Sequence, residues 1–333
     1  MTLLWFDGFE GQDAASFYTT SFGGFSYPTT TRFGYGNCVK NSSGTTDRYI
    51  AQGFTAASQV FAGGAFNNIA TGTLLSFWGD AGVTQHITIT ANASGGIDVR
   101  RGAAGGTIIA SSATGLISAL NWFYLEASAT ISDTVGTVEV RLNGNATPVA
   151  TFSGDTKNAG TASTIDRVRW HADGASGSID DIYVCNSSGS VNNTFLGDVR
   201  VQTLFPSGAG SSTGLTPSSG SNWQNVDEAP ASATDYNGSP TTGARDTYAL
   251  QDLVAGTAAV KGVRTCVSMH KSDAGASSMK PALKVGSTVA YDATQALSTT
   301  MTDYTALRET SPDTSTTWTV SEVNGAELGA EVA

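Results

Sequence analysis

Cysteine and histidine are scarce in this chain, with three of each in 333 residues. Cys38, Cys185 and Cys266 are scattered and odd in number, which excludes a disulfide framework. Cys185 follows the apolar alternation Ile182–Val184 and reads as a small buried hydrophobe; a Cys38–Cys185 bridge is the other reading. Charged residues make up 14%, well under the usual quarter. The formal net charge of -11 divides into -5 over residues 1–190 (nine Lys/Arg, fourteen Asp/Glu) and -6 over 191–333 (eight against fourteen). No basic tract breaks this even coat, so nucleic acid is not an expected partner. No apolar run approaches the roughly 20 residues that span a bilayer, so no membrane is expected either. No Lys or Arg precedes Leu3-Leu4 and Asp7 interrupts the apolar start, so no export signal is read and synthesis in a cytoplasm is the expectation. No segment keeps an i, i+3, i+4 apolar pattern over three turns, which excludes long helices.

What fills the chain is glycine (39 residues) with Thr, Val and Ile, a composition for strands joined by tight turns. Strand-like runs follow one another: Thr73–Trp78, Gln85–Thr90, Ile97–Arg100, Thr107–Ala110, Asn121–Glu126 and Thr137–Leu142. Asn143-Gly144 is the favoured hairpin signal, with a return strand Thr147–Phe152. Leu3–Glu10 and Gly177–Val184 stand at the two ends of this series and are expected to lie side by side. Near residue 190 the texture changes. Asn186–Ser190 and Asn192-Asn193 form a polar hinge, so a first domain is expected over 1–190 and a second over 191–333. The second is predicted to start with a strand over Phe195–Phe205. A Ser/Gly/Pro-rich surface excursion over about 207–245 follows, pinned by Trp223, Tyr236 and Tyr248. Strands return over Val260–Met269, Met279–Val285 and Asp303–Glu309, with a last one near Gly325–Val332. The predicted fold class is all-β: two β-sandwich domains, the second the smaller.

Phe77-Trp78, the turn Gly95-Gly96, Asn121-Trp122-Phe123, the hairpin Val138 to Gly144 and the closing Ile179-Asp180-Asp181-Ile182 resemble the concanavalin A-like, laminin-G-type jelly roll. The whole chain resembles two-part virion proteins of tailed bacteriophages. The resemblance is carried by Thr2–Phe9, by Asn193–Val201, and by Ser311–Thr314 with Thr317–Thr319 and Asn324–Gly329. It implies a structural protein on the virion surface, with head decoration slightly favoured over a tail appendage. The implied partners are other virion proteins (major capsid or tail proteins) and copies of itself, as a homo-oligomer in the assembled particle. The alternative is a glycan-binding adhesion module for host recognition, assisted by calcium.

A glycosidase needs two carboxylates facing across a cleft, and no Glu-x-Asp-x-Glu run supplies them. Asp180 and Asp181 are adjacent, so strand alternation sends them to opposite faces. Glu139 and Arg141 alternate on one strand and read as a solvent-facing ion pair. A triad would have to use His86, His171 or His270. His86 reads as a surface or hydrogen-bonded histidine and His270 as an exposed strand end. No Gly-x-Ser-x-Gly elbow occurs, and the glycines of 102–106 precede no helix, so they are turns and not a phosphate cradle. No catalytic residue, cofactor or metal is therefore assigned, and the protein is expected not to be an enzyme. Two readings stay open. His171-Ala172-Asp173-Gly174 with Asp180 or Asp181 either gathers oxygen ligands for a cation or is a loop turned by Asp173-Gly174 with Asp180 capping local amides. The tryptophans Trp5, Trp78, Trp122, Trp170, Trp223 and Trp318 are either core or, in part, a sugar-stacking platform.

Overall fold

A computed structural model describes residues 2–12, 17–18, 20–21, 24–42, 48–174 and 176–333. It divides into two compact units, Met1–Val201 and Gln202–Ala333. The chain is all-β, its strands paired antiparallel.

The first unit is a jelly-roll sandwich of two sheets. One has eight strands among the described residues: Ala150–Gly154 (β13), Gly136–Leu142 (β12), Phe123–Thr130 (β11), Gln59–Asn67 (β6), Ser178–Asn186 (β15), Val39–Asn41 (β4) and Phe25–Ser26 (β3) in that order, with Leu3–Asp7 (β1) also pairing β15. The other runs Thr107–Ser111 (β10), Ile97–Arg101 (β9), Thr84–Ala91 (β8), Gly72–Gly79 (β7), Ile165–His171 (β14), Tyr49–Ala57 (β5) and Thr20–Ser21 (β2). The two ends of the domain do meet, with Phe6 opposite Tyr183 and Asp7 opposite Ile182. Alternation sorts each strand: Ile87 and Ile89 of β8, Val168 and Trp170 of β14, and Val138 and Val140 of β12 enter one continuous core. Trp170 is wholly buried there and its indole N–H donates to the Gly63 carbonyl at 2.9 Å. Asn143 and Gly144 both take positive φ, and Asn145 N–H closes the turn onto Leu142 C=O at 3.0 Å. The return strand starts only at Ala150, so the connection is longer than a two-residue hairpin.

Residues 195–205 form no strand. Up to Val201 they are a strap laid over the outer face of the eight-stranded sheet. Phe195 packs edge-on against Phe61 and under the Arg141 guanidinium. The amides of Leu196 and Gly197 donate to Tyr183 Oη and Glu126 Oε1, and Val201 N–H donates to Asp181 Oδ1 at 2.7 Å. The polar hinge near 190 thus lies inside the first compact unit. Amides satisfied by side chains leave no ladder for a strand to join.

In the second unit, one sheet takes Pro206–Thr213 (β16), Arg245–Leu250 (β19), Glu327–Val332 (β25), Ser278–Val285 (β21) and Thr288–Tyr291 (β22), with Gln295–Ala296 (β23) also on β21. A ribbon of Val263–Met269 (β20) and Thr302–Arg308 (β24) covers it through Met269, Val267 and Tyr304 against Met279 and Ala330. Thr216–Pro217 (β17) and Asn237–Gly238 (β18) pair separately. The expected surface excursion over 207–245 is therefore corrected at both ends. Its first residues are the edge strand β16, and Arg245 opens the interior strand β19. Small Ser and Gly side chains suit an edge strand whose partner face is shallow, which composition had disguised as loop. A helix over Val320–Asn324 (α1) is capped by Thr319, whose hydroxyl accepts from Glu322 N–H while Glu322 bonds back to Thr319 N–H.

Candidate functional site

The first unit has two outer sheet faces, and the strap covers one of them. On the covered face the alternation rule fails at one residue. Asp180 stands opposite Ala65 and Tyr183 opposite Gly63, so Asp181 and Ile182 together oppose Gly64. Asp181 takes a φ of 50° to make this bulge. The two aspartates consequently lie on the same side of the sheet, not on opposite faces, and are 4% and 2% exposed. Burial pushes both carboxyls up, Asp180 further, because Asp181 and Glu10 add negative charge beside it. Asp181 retains Arg32 Nη1 at 3.6 Å and the Val201 amide. The pair is enclosed under the strap, and Arg32 also bonds Asp198. Glu126, likewise raised by burial, accepts from Tyr183 Oη.

On the other sheet, residues directly opposite one another share a face. Ala51, Arg169, Ser76, Thr88 and Arg100 form one such row across β5, β14, β7, β8 and β9. The rows beside it hold Gly53, Arg167, Trp78 and Gln85, and Tyr49 with His171. The partners of these residues on the inner side are core, so the row points outward. The Arg169 guanidinium is held between two aromatic rings, 3.6 Å from the Trp78 centroid and 4.4 Å from that of Tyr49. Trp78 Nε1–H donates to Ser76 Oγ at 2.8 Å, and Ser76 Oγ is 2.9 Å from His171 Nε2. Arg100 reaches Asp98 at 3.3 Å, which also accepts from Ser111 and Asn92. Arg167 makes no ion pair among the described residues, and its guanidinium lies against Gly82. Trp78, Gln85, Arg100, Arg167 and Arg169 are half-buried and give the face its solvent side. The half-buried Trp78 ring and the guanidinium donors can stack on and hydrogen-bond a polyhydroxylated ring, while the Ser76 and Thr88 hydroxyls are wholly buried and brace the face from within.

The residues singled out from sequence fall as follows. Asp180 Oδ1 accepts from the neighbouring Asp181 N–H at 2.9 Å, a local amide, whereas Asp173 Oδ2 accepts at 2.8 Å from the N–H of Thr73 on β7, distant in the chain. Among the described residues no three His, Cys, Asp or Glu side chains stand where they could hold a metal ion. His86 is neither at the surface nor hydrogen-bonded: it is wholly buried and neither ring nitrogen has a partner among the described residues. It occupies the bulge where Phe77 faces Ile87 but Trp78 faces Gln85, and burial holds its pKa down. His270 is half-buried against the Tyr236 ring. Glu139 and Arg141 do pair, at 2.6 Å. Cys38 and Cys185 are buried and form no disulfide bridge with each other. Of the tryptophans, Trp170 and Trp318 are core, while Trp5, Trp78, Trp122 and Trp223 are half-buried. Arg167, Arg169 and Tyr49 went unrecognised in the sequence. Their only signal was the alternation Arg167-x-Arg169-x-His171 beside Trp170.

No family model and no curated protein matches the chain. Among solved structures it is similar to a Bacillus subtilis protein of unknown function with galectin-like fold, at 12% identity and a TM-score of 0.33 over 50% of this chain and 88% of that one. The VIP36 exoplasmic/lumenal domain in its Ca2+/mannose-bound form matches at 10% and 0.32, over 51% and 84%. The tandem CBM22 domains of Paenibacillus barcinonensis Xyn10C match at 9% and 0.28, over 99% and 89%. Likenesses this distant carry no argument about ligand or chemistry.

Proposed function

We propose that this is a non-enzymatic binding protein whose first unit takes a glycan on the outer face of its seven-stranded sheet, as an adhesion module at the surface of a tailed-phage particle. One observation carries the glycan reading: the Trp78–Arg169–Tyr49 stack set across three adjacent strands, with Ser76 and His171 beneath it. The half-buried Trp78 ring supplies apolar contact and the Arg169 guanidinium supplies donors, held in place by the buried Tyr49, Ser76 and His171 before any ligand arrives, which lowers the entropy lost on binding. The virion setting comes from the sequence resemblance. The adjacent carboxylate pair of the first unit's closing strand, Asp180–Asp181, is enclosed under the strap, which supports binding over hydrolysis there.

A glycan array with the purified full chain, with and without calcium, tests this. Binding is expected, with loss in Trp78→Ala and in Arg169→Ala. A blank array, or variants that bind as well as the parent, would refute it. Release of reducing ends from any bound polysaccharide would refute the non-enzymatic part.

A second reading, architectural attachment to capsid or tail proteins, is favoured by one exposed patch. Phe33 and Tyr35 are 45% and 42% exposed and stacked at 6.5 Å, with the Arg200 guanidinium 3.5 Å from the Tyr35 centroid. Aromatic and arginine side chains in this arrangement are the composition of protein-interface hot spots. Under this reading Tyr35→Ala lowers incorporation into particles while the array stays blank.

A further inference from the structure

The second unit contains a hollow of about 260 Å³ between the edge strand β16, the start of β19 and the turn Asn222–Asn225. It is smaller than the roughly 300–1,000 Å³ of sites for drug-sized ligands, so its occupant is small. Its walls are of two kinds. Trp223 gives a flat aromatic side, half-buried, with an indole N–H that has no protein partner among the described residues. Ser212, Thr213, Ser221 and Asn222 give neutral hydrogen-bonding groups around it.

The charged groups nearby are already engaged. Asp246 is wholly buried and its carboxylate accepts four hydrogen bonds: Gly214 N–H at 2.6 Å, Leu215 N–H at 2.8 Å, Asn222 Nδ2 at 2.6 Å and Tyr248 Oη at 3.0 Å. Arg245 is turned onto Ser212 Oγ, Tyr291 Oη and Glu331. Asp246 therefore acts as a strut. Through Asn222 it ties the Trp223 turn to the sheet, and Asn237 Nδ2 braces the same turn by donating to Asn222 C=O at 2.7 Å and to Tyr248 Oη. The aromatic wall is held rigid over a lining whose one charged group, Asp246, is wholly buried with both carboxylate oxygens already bonded to the protein, so the groups left to a ligand are neutral. A saturated sugar ring has the matching chemistry, with an apolar C–H face for the indole and a rim of hydroxyls for the serines, threonine and amide.

We infer that this hollow is a second, independent binding site, in the second unit, for one neutral sugar ring stacked on Trp223. It does not depend on the first-unit reading, since it uses other residues on the other unit. The test is 19F NMR of the full chain labelled with 5-fluorotryptophan. It is titrated with the methyl glycosides of glucose, galactose and N-acetylglucosamine, with glucuronate and glycerol as comparators. The expected result is a saturable shift of the Trp223 resonance with at least one neutral glycoside. By saturation-transfer difference, affinity should fall about tenfold or more (about 1.4 kcal/mol) in Trp223→Ala and be largely kept in Trp223→Phe, which preserves the aromatic wall. Trp78→Ala should leave the response intact even if it blanks the array. No saturable shift with any glycoside, equal or tighter binding of glucuronate or glycerol, or unchanged binding in Trp223→Ala would each overturn the assignment.

Discussion

Replacing Asp180 by Asn tests whether the bulge in β15 holds a protonated acid at neutral pH. Asn keeps the Oδ1 that accepts from Asp181 N–H and removes only the ability to ionise. Burial, Asp181 and Glu10 all push the Asp180 carboxyl up. An unfolded aspartate titrates near 4, so between there and the raised native value the folded state binds a proton that the unfolded state has lost. Stability from this group is then full below pH ~4 and falls as pH rises, by about 1.4 kcal/mol per pH unit for one proton. From pH 5 to 7 that is a loss of about 3 kcal/mol, and its slope is the quantity to measure. Asp181 is coupled to the same proton, so removing Asp180 lets Asp181 ionise against Arg32 and the Val201 amide. Urea unfolding of the full chain at pH 5, 6, 7 and 8, with the first unit followed by pulse proteolysis, gives the slope for parent and variant. Asp180→Asn should flatten the decline by about one proton and be the more stable protein at pH 8. Identical slopes, or a variant less stable at pH 8 than the parent, would refute the reasoning. Asp198→Asn, at a partly exposed ion pair, should change stability by no more than about 1 kcal/mol.

Four other outcomes follow from the same structure. Trp170→Ala should cost about 3–5 kcal/mol in the first unit by urea titration, since it empties a fully buried indole site and orphans the Gly63 carbonyl. Gly63→Ala should destabilise by about 1–3 kcal/mol, because a Cβ there would lie 2.4 Å from the Tyr183 ring. Thr319→Ala should cost about 1 kcal/mol in the second unit by removing one half of a capping box. In the native state Ellman's reagent should spare Cys38, whose thiol burial pushes up to about 12, and the buried Cys185; both should react on denaturation.

The all-β class, the strands built on strict alternation and the meeting of the two ends of the first domain are legible in the order of residues alone. Those features follow from local patterns: period-2 hydrophobicity in Thr137–Leu142, positive-φ residues at Asn143-Gly144, and paired apolar runs at Leu3–Asp7 and Ile179–Val184. Tertiary structure decided what local pattern does not encode. A single bulge at Asp181 turned two neighbouring acids to one side, because register is set by pairing with Gly63–Ala65 and not by the order of residues in β15. The row Arg169–Ser76–Thr88–Arg100 joins three consecutive strands to β14, which lies far along the chain, so its pairing with Arg169 is not contained in any short window of sequence. Residues 195–201 and 206–213 exchanged their expected roles, the first a strap and the second a strand. Which backbone amides find carboxylates and which find a neighbouring strand is settled only when distant segments pack.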